Sequence, residues 1–290
     1  MTYRFKPGRE TVSDGIRRIA AEQFALIFRA LGDESLPSPR KVHEVRKAVK
    51  RLRSLIRLIG PVFPEAKAEN AALRDAAREL SIARDSGAVM ETLALLKLPE
   101  DLHARTHDAL STVTAARISP EEAERLLKTF GRTMRAAAKR AAKWRIEAEG
   151  IEALAPGVRR GYRRLRKSFQ DAVASGEEER LHDWRKCAKD HWHQTLLLRA
   201  VCFEAMQAHA RMAEHLSDAL GDWRDAGLVL EALDQLPAKA LGKDDIKTVK
   251  RALARAQKRA LRKARRRAAL LVAESPGALV TRWSAYWSAQ

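Results

Sequence analysis

Two short segments of the chain carry the same histidine, arginine and lysine residues at the same spacing. Residues 42–50 read VHEVRKAVK, and residues 181–189 read LHDWRKCAK. The basic residues recur three or four positions apart, so they share one side of a helix. Arginine binds phosphate oxygens through a planar fork of donors, and lysine binds them as a point charge. A histidine, whose reference pKa is about 6.5, gains charge beside a polyanion. The pattern therefore predicts binding of phosphate groups.

A second pair of segments repeats in the same order further along the chain. Residues 80–93 read LSIARDSGAVMETL, and residues 220–233 read LGDWRDAGLVLEAL. The paired histidines are 139 residues apart and the paired aspartates are 140 residues apart. This nearly constant offset predicts an internal duplication of one helical unit.

The elements that carry these residues are predicted to be helices throughout. Apolar residues recur every three or four positions, and no alternating strand pattern occurs. Glycine and proline mark the predicted ends, and the break at residues 155–157 divides a first repeat, 1–155, from a second, 156–290. The predicted helices cover residues 10–31, 39–59, 65–83, 86–97, 99–116, 120–149, 157–174, 178–200, 204–220, 225–235, 243–273 and 276–288.

One face of the predicted helix 39–59 is basic and the opposite face is apolar. On a helical wheel the basic positions lie within about 80° of the histidine on either side, opposite residues such as Leu52 and Ile56. The corresponding face of helix 178–200 is shorter, because Trp192 and Leu196 interrupt it. The first face contains His43, Arg46, Lys47, Lys50, Arg51, Arg53 and Arg57. The second contains His182, Arg185, Lys186, Lys189 and His193.

Three further basic rows follow the same design. A solvated helix face usually mixes charges, whereas these rows have one sign over several turns, which destabilises an isolated helix. Any single row has a solvated face as its alternative interpretation, but the recurrence of the rows favours polyanion binding. The helix 120–149 carries Arg132, Arg135, Lys139 and Lys143. The second repeat opens with Arg159, Arg163 and Arg166. The helix 243–273 carries Arg255, Arg259, Arg262 and Arg266.

Composition agrees with a polyanionic partner. The chain of 290 residues has 56 Lys and Arg against 37 Asp and Glu, a formal charge of +19. Such a surplus predicts nucleic acid, an anionic membrane or another phosphate polymer as partner. No apolar run is long enough to span a membrane, so we expect no membrane insertion. Two cysteines are too few for a disulfide framework, and no secretory signal is evident, so we expect a cytoplasmic protein.

Candidate metal and catalytic residues are few. His103 and His107 are four residues apart on one predicted helix, but no third ligand is evident. His182 and Asp183 form the dipeptide of HD phosphohydrolases, yet the further metal ligands of that chemistry are lacking. We therefore predict no metal site, no cofactor and no catalytic residue, with a metal-dependent phosphohydrolase as a remote alternative. His191 is predicted to be structural.

The repeated motifs resemble those of CHAD domains, the conserved histidine α-helical domain family. The resemblance rests on VHEVRKAVKRLRSLIRL and LHDWRKCAKDHWH, on the two Arg-Asp segments, and on residues 159–169 and 274–283. It covers nearly the whole chain, with the motifs in order. It implies an all-α fold of two pseudo-symmetric helical bundles from an internal duplication, with long basic helices facing a central groove or pore. It also implies non-enzymatic binding of inorganic polyphosphate and association with polyphosphate granules.

Two departures from the family pattern limit what the resemblance implies. Gly87 and Gly227 occupy positions where relatives often carry an aspartate, so any role of that carboxylate is absent or moved. The Glu-x-Glu-x-Lys motif of triphosphate tunnel domains does not occur, so tripolyphosphatase activity is not implied. The main alternative is a nucleic-acid-binding helical protein, although aromatic residues make up only 6% of the chain. The sequence leaves the oligomeric state open.

Overall fold

The computed structural model describes residues 3–115 and 119–290, without the side chains of residues 81–86, 115 and 120. The described residues form helices and the segments that connect them, and no strand occurs among them. A short 3-10 helix, Arg199–Val201, precedes α9. The α-helices are α1 (Val12–Gly32), α2 (Ser38–Ile59), α3 (Ala66–Glu79), α4 (Ser81–Ala94), α5 (Glu100–Ala115), α6 (Pro120–Ala141), α7 (Gly150–Ser175), α8 (Glu178–Leu197), α9 (Phe203–Asp234), α10 (Lys243–Leu271) and α11 (Pro276–Ser288). The all-α prediction is confirmed.

The main hydrophobic core joins the two halves of the chain. Leu52 and Ile56 of α2, Leu165 of α7, Trp184 of α8 and Trp283 of α11 are all buried in one continuous cluster. The apolar face predicted for α2 is therefore confirmed, and its basic face points away from this core. Burial of these large side chains is the main force that holds the two halves together.

A second core also combines the two halves. Val89 and Leu93 of α4 and Leu110 of α5 pack with Val229 of α9 and Leu253 of α10. The pair α4 and α5 thus covers one face of the pair α9 and α10. This cross-packing brings the first half of the chain against the basic helix α10.

The predicted helix break at residues 155–157 is wrong. α7 is continuous from Gly150 to Ser175 and contains Pro156, which interrupts only one backbone hydrogen bond. Gly157 serves close packing instead, since a Cβ atom there would lie 1.6 Å from the carbonyl oxygen of Leu58 in α2. The non-helical segment nearest to the predicted boundary is residues 142–149.

Two further helix boundaries differ from prediction. The helices predicted over 204–220 and 225–235 form one helix, α9, because a glycine at position 221 weakens a helix without breaking it. The helix predicted to reach residue 149 ends at Ala141, where the chain turns and Trp144 packs against Phe63, with ring centroids 5.4 Å apart. The starts of α2 and α8 are 140 residues apart, in line with the predicted register. The duplication itself stays a prediction.

Candidate polyanion-binding site

Helices from both halves enclose a cleft of about 1000 Å³, here called the central cleft. The beginning of α2 and the segment from α4 to Lys97 form one side, and α9 and α10 form the other. Its lining on α10 runs from Ala252 to Lys263, about 16 Å of helix, so the cleft is long enough for an extended ligand. Its basic lining residues are Arg40, His43, Lys97, Arg255, Arg259 and Lys263.

The amphipathic pattern of α10 supplies one wall of the central cleft. Leu253 and Ala260 are buried, whereas Arg255, Arg259 and Lys263 are exposed. These three basic residues are four positions apart, so they form a row with a spacing of about 6 Å along the helix. Within the described part of the chain, Arg255 and Arg259 form no hydrogen bond or ion pair. Their charges are available to a ligand.

Acidic residues of α9 also line the central cleft. Asp222, Asp225 and the α4 residue Glu91 face the cleft, where, among the residues whose side chains are described, basic residues other than His43 outnumber acids five to three. Burial raises the pKa of Asp222. The negative charges of Asp218 and Asp225 add to this rise, and the positive charge of Lys263 opposes it. Asp225 belongs to the repeated Arg-Asp segment, whereas Asp222 was not predicted to face a binding site, although it lies three residues before Asp225 on the same helix face. They make the cleft a mixed site with a modest basic surplus.

The basic faces of α2 and α8 influence one another outside the cleft. Burial lowers the pKa of Lys189 in α8 to about 8, and the charges of Arg185 and Arg51 add to this effect. The Lys189 Nζ atom lies 4.0 Å from the centroid of the Trp192 ring, which offers partial compensation. The charges of Asp218 and Glu214 oppose the lowering, so residues predicted from both motif copies share one region in which acids partly offset the basic charge.

The two histidines predicted on the α8 face have different environments. His193 is only 3% exposed and packs between Tyr3 and Trp192, and burial holds its pKa well below the usual range. The prediction that His193 belongs to the binding face is therefore corrected. His182 is partly exposed, but burial, assisted by Lys186 and Arg185, lowers its pKa.

Three arginines of the predicted basic face of α2 form structural contacts with α3 and α8. Arg57 forms an ion pair with Asp190 of α8, and its Nη1 atom donates to Asn70 Oδ1 of α3 at 3.2 Å. Arg53 Nε donates to the same Asn70 oxygen at 3.0 Å, and burial lowers the pKa of Arg53 to about 10. Arg46 donates to the carbonyl oxygen of Ala77. The prediction that all seven basic residues form one open face is corrected, because α3 and α8 cover this edge.

The basic row predicted on α7 does not face the point where Arg57 of α2 meets Asp190 of α8. Arg159 and Arg163 are exposed and line none of the described cavities, while Arg166 Nη1 donates to the Glu274 carbonyl oxygen at 2.9 Å. Arg160 and Arg164, which the sequence analysis did not select, lie instead beside Asp190. A one-residue shift rotates a helical side chain by about 100°, which explains the difference.

The remaining predicted residues are exposed but are not gathered in the central cleft. Lys47 and Lys186 lie near acids on their own helices, at 4.0 Å from Glu44 and 3.0 Å from Asp183. Arg262 and Arg266 line a separate groove on the other side of α10. Arg132, Arg135 and Lys139 of α6, which packs against α1 and α3, and Lys143, which follows α6, are exposed and line neither cavity.

Neither a metal site nor a membrane span emerges from the described residues. Within residues 3–115 and 119–290, no three His, Cys, Asp or Glu side chains are grouped as metal ligands would be. His103 and His107 accordingly have no third ligand in that part of the chain. None of the described helices combines the length and apolar character needed to cross a bilayer.

Comparison with known proteins is consistent with this fold. The family model described as CHAD domain matches residues 18–234. The crystal structure of the CHAD domain from the plant Ricinus communis is similar, with a TM-score of 0.55 and 18% sequence identity. The match covers 96% of this chain and 92% of the plant chain. None of the curated proteins compared with this chain matches it.

Proposed function

Because this chain belongs to the CHAD domain family, we propose that it binds inorganic polyphosphate, without hydrolysing it, in the central cleft. The observation that carries the proposal is the position of Arg255 and Arg259. These two arginines form no ion pair within the described chain, and they line the same cleft as Arg40 and His43 from the other half. Binding of this polymer would bring the protein to cytoplasmic polyphosphate granules.

The chemistry of the cleft suits a phosphate chain better than a nucleic acid. None of the described residues that line the central cleft is aromatic, so bases would find no stacking platform among them. Arginine and lysine side chains recognise phosphate oxygens without any need for a base. A nucleic acid therefore remains the less supported candidate, and it would bind through its backbone alone.

The arrangement also favours a long polymer over a small phosphate. One polyphosphate chain contacts the α10 row and the α2 side chains together, so each later contact forms at a high effective concentration. ATP or pyrophosphate reaches only a few of these groups at once. Electropositive residues outside the cleft, including Lys50 and Lys189, offer further contacts to a chain that leaves it.

Equilibrium binding to fluorescently labelled long-chain polyphosphate tests the proposal. We expect ATP, pyrophosphate and orthophosphate to compete poorly at equal phosphate concentration. By analogy with nucleic acids, neutralisation of about 6–10 phosphates predicts a loss of roughly 10³–10⁵ in affinity between 50 and 200 mM salt. Equal competition by ATP, or binding that is insensitive to salt, would rule out an extended binding site.

A further inference from the structure

A second groove, here called the α9–α10 groove, runs along the other side of α10 and has a volume of about 1100 Å³. Its lining extends from Trp223 to Asp234 on α9 and from Ala254 to Arg266 on α10, which corresponds to roughly 18 Å of helix. The apolar lining residues are Leu181, Trp223, Leu230 and Leu261, with Gly227 between them. The floor is therefore apolar and about three helical turns long.

The α10 wall of this groove carries an uncompensated positive charge. None of its six basic side chains forms an ion pair with a described residue. The acids on the α9 side are already paired, since Glu231 lies 2.6 Å from Arg224 and Asp234 lies close to Lys250. The groove therefore combines an apolar floor with a strongly electropositive wall. The wall residues are Arg255, Lys258, Arg259, Arg262, Arg265 and Arg266.

The packing of α9 and α10 leaves this groove open to a further helix. The two helices are antiparallel, as shown by contacts from Gln257 to the Trp223 carbonyl oxygen and from Lys250 to Asp234. Their other face is covered by α4 and α5, which pack against Val229 and Leu253. A groove between two antiparallel helices is a shape that another helix fills by ridge-and-groove packing.

We propose that the α9–α10 groove binds an acidic amphipathic helix of a partner protein. Apolar side chains at positions i, i+4 and i+7 would contact Leu230 and Leu261, and flanking carboxylates would face Arg262 and Arg266. Leu270, which is 72% exposed, continues the row of Arg262 and Arg266 and would be covered by a longer helix. Polyphosphate supplies charge but has no apolar group to cover the floor. This inference goes beyond the proposed function, because it concerns a different ligand and a groove that shares only Arg255 and Arg259 with the central cleft.

A designed peptide probe tests the proposal with the full-length protein. The probe is a synthetic 14-residue peptide with leucines at positions i, i+4, i+7 and i+11 and glutamate at most other positions, which would become helical on binding. A peptide of identical composition and scrambled order is the control for charge. By fluorescence anisotropy we expect the ordered peptide to bind at least about tenfold more tightly, which is the effect of losing well-buried apolar contacts. Equal binding of the two peptides would overturn the proposal.

Two variants locate the peptide on the protein. Gly227→Leu places a side chain on the floor of the groove, and its Cβ atom meets only Gln257 at 3.5 Å and Arg224 at 3.7 Å. Arg262→Glu with Arg266→Glu reverses the charge of two of the six wall residues. We expect each variant to weaken peptide binding at least about tenfold. The matched control, Arg132→Glu with Arg135→Glu on α6, should have little effect.

The outcomes separate this inference from the proposed function. If Gly227→Leu loses helical circular dichroism, the α10 double variant decides the result. Peptide binding that is unchanged in a folded groove variant would overturn the inference. Polyphosphate binding is measured in parallel, and Gly227→Leu should leave it unchanged because Gly227 lies outside the central cleft. A protein that binds the peptide but not polyphosphate would refute only the proposed function.

Discussion

Arg57 of α2 and Asp190 of α8 form an ion pair that joins the two halves of the protein, with 21% and 18% of their side chains exposed. Arg160 of α7 adds a third helix, because its Nη2 atom donates to the carbonyl oxygen of Arg57 at 2.7 Å. Arg53 and Arg164 also act on the Asp190 carboxylate. One acidic side chain thus compensates several arginines where α2, α7 and α8 meet.

We expect Asp190→Ala to cost about 3–5 kcal/mol in the free energy of unfolding, because it leaves partly buried arginines without their acid. Arg57→Ala should cost less, since Arg53 and Arg164 remain near the carboxylate. The control is Asp183→Ala on the same helix, which loses an exposed ion pair and should cost about 0–1 kcal/mol. Urea denaturation measures all three variants. Similar losses for Asp190→Ala and Asp183→Ala would contradict the role given to this junction.

A pair of glycine substitutions tests the contact between α2 and α7. Gly157→Ala should cost about 3 kcal/mol or more, because its Cβ atom would overlap the Leu58 carbonyl oxygen and force the helices apart. Gly221→Ala in α9 should instead stabilise the protein by up to about 1 kcal/mol, since a Cβ there meets nothing within 4 Å. Thermal and urea denaturation report both changes. A Gly157→Ala protein of unchanged stability would show that this close approach is not needed.

Two buried histidines, His191 and His209, should make the free energy of unfolding depend on pH. His191 Nε2 and His209 Nε2 lie 2.8 Å apart beside Trp283. Burial lowers the pKa of both rings, that of His209 to about 4, whereas the unfolded value is about 6.5. Between these values the unfolded chain binds more protons, so the free energy of unfolding should fall as pH decreases from about 6.5 to 4.

The variant His209→Gln should reduce the slope of that pH dependence, because glutamine has hydrogen-bonding groups but does not titrate in this range. His107→Gln changes an exposed histidine and should leave the slope unchanged. Urea denaturation at a series of pH values gives the slope for each protein. If His209→Gln retained the full wild-type slope, the histidine pair would not be its source.

Charge reversal distinguishes the central cleft from the other basic surfaces. Arg255→Glu with Arg259→Glu should weaken polyphosphate binding at least about tenfold and reduce its salt dependence, because both side chains are predicted phosphate contacts. Arg132→Glu with Arg135→Glu makes the same change in charge on α6, outside the cleft, and should have a smaller effect. Both variants keep the apolar helix faces, so circular dichroism should be unchanged. Equal losses of affinity would indicate that net charge, rather than the cleft, determines binding.

The sequence was sufficient to predict the helical fold and the basic helix faces, because both depend on local periodicity. Leu52 and Ile56 are buried as the helical wheel requires, and Arg255 and Arg259 are exposed on α10. Glycine and proline were less informative about helix ends. Gly157 marks a close contact between distant helices rather than a break, and no local pattern reveals such a contact.

Which residues belong to the binding site depends on tertiary packing, and the periodicity of the sequence carries no information about that packing. Arg53 and Arg57 have the same spacing as ligand-binding residues, yet α3 and α8 place Asn70 and Asp190 against them. His193 belongs to the predicted face but lies beneath Tyr3, from the far N-terminus of the described chain. Asp222 and Asp225 face the basic row of α10 across the central cleft, and that opposition arises from the packing of α9 on α10.

Competition between long-chain polyphosphate and duplex DNA tests the central claim most directly. Labelled polyphosphate is bound to the wild-type protein and challenged with unlabelled polyphosphate or duplex DNA at equal phosphate concentration and fixed ionic strength. Because the described lining of the cleft has a surplus of basic side chains and no aromatic residue, we expect polyphosphate to displace the label far more effectively than DNA. Displacement by DNA that equals or exceeds displacement by polyphosphate would contradict the account and identify nucleic acid as the ligand.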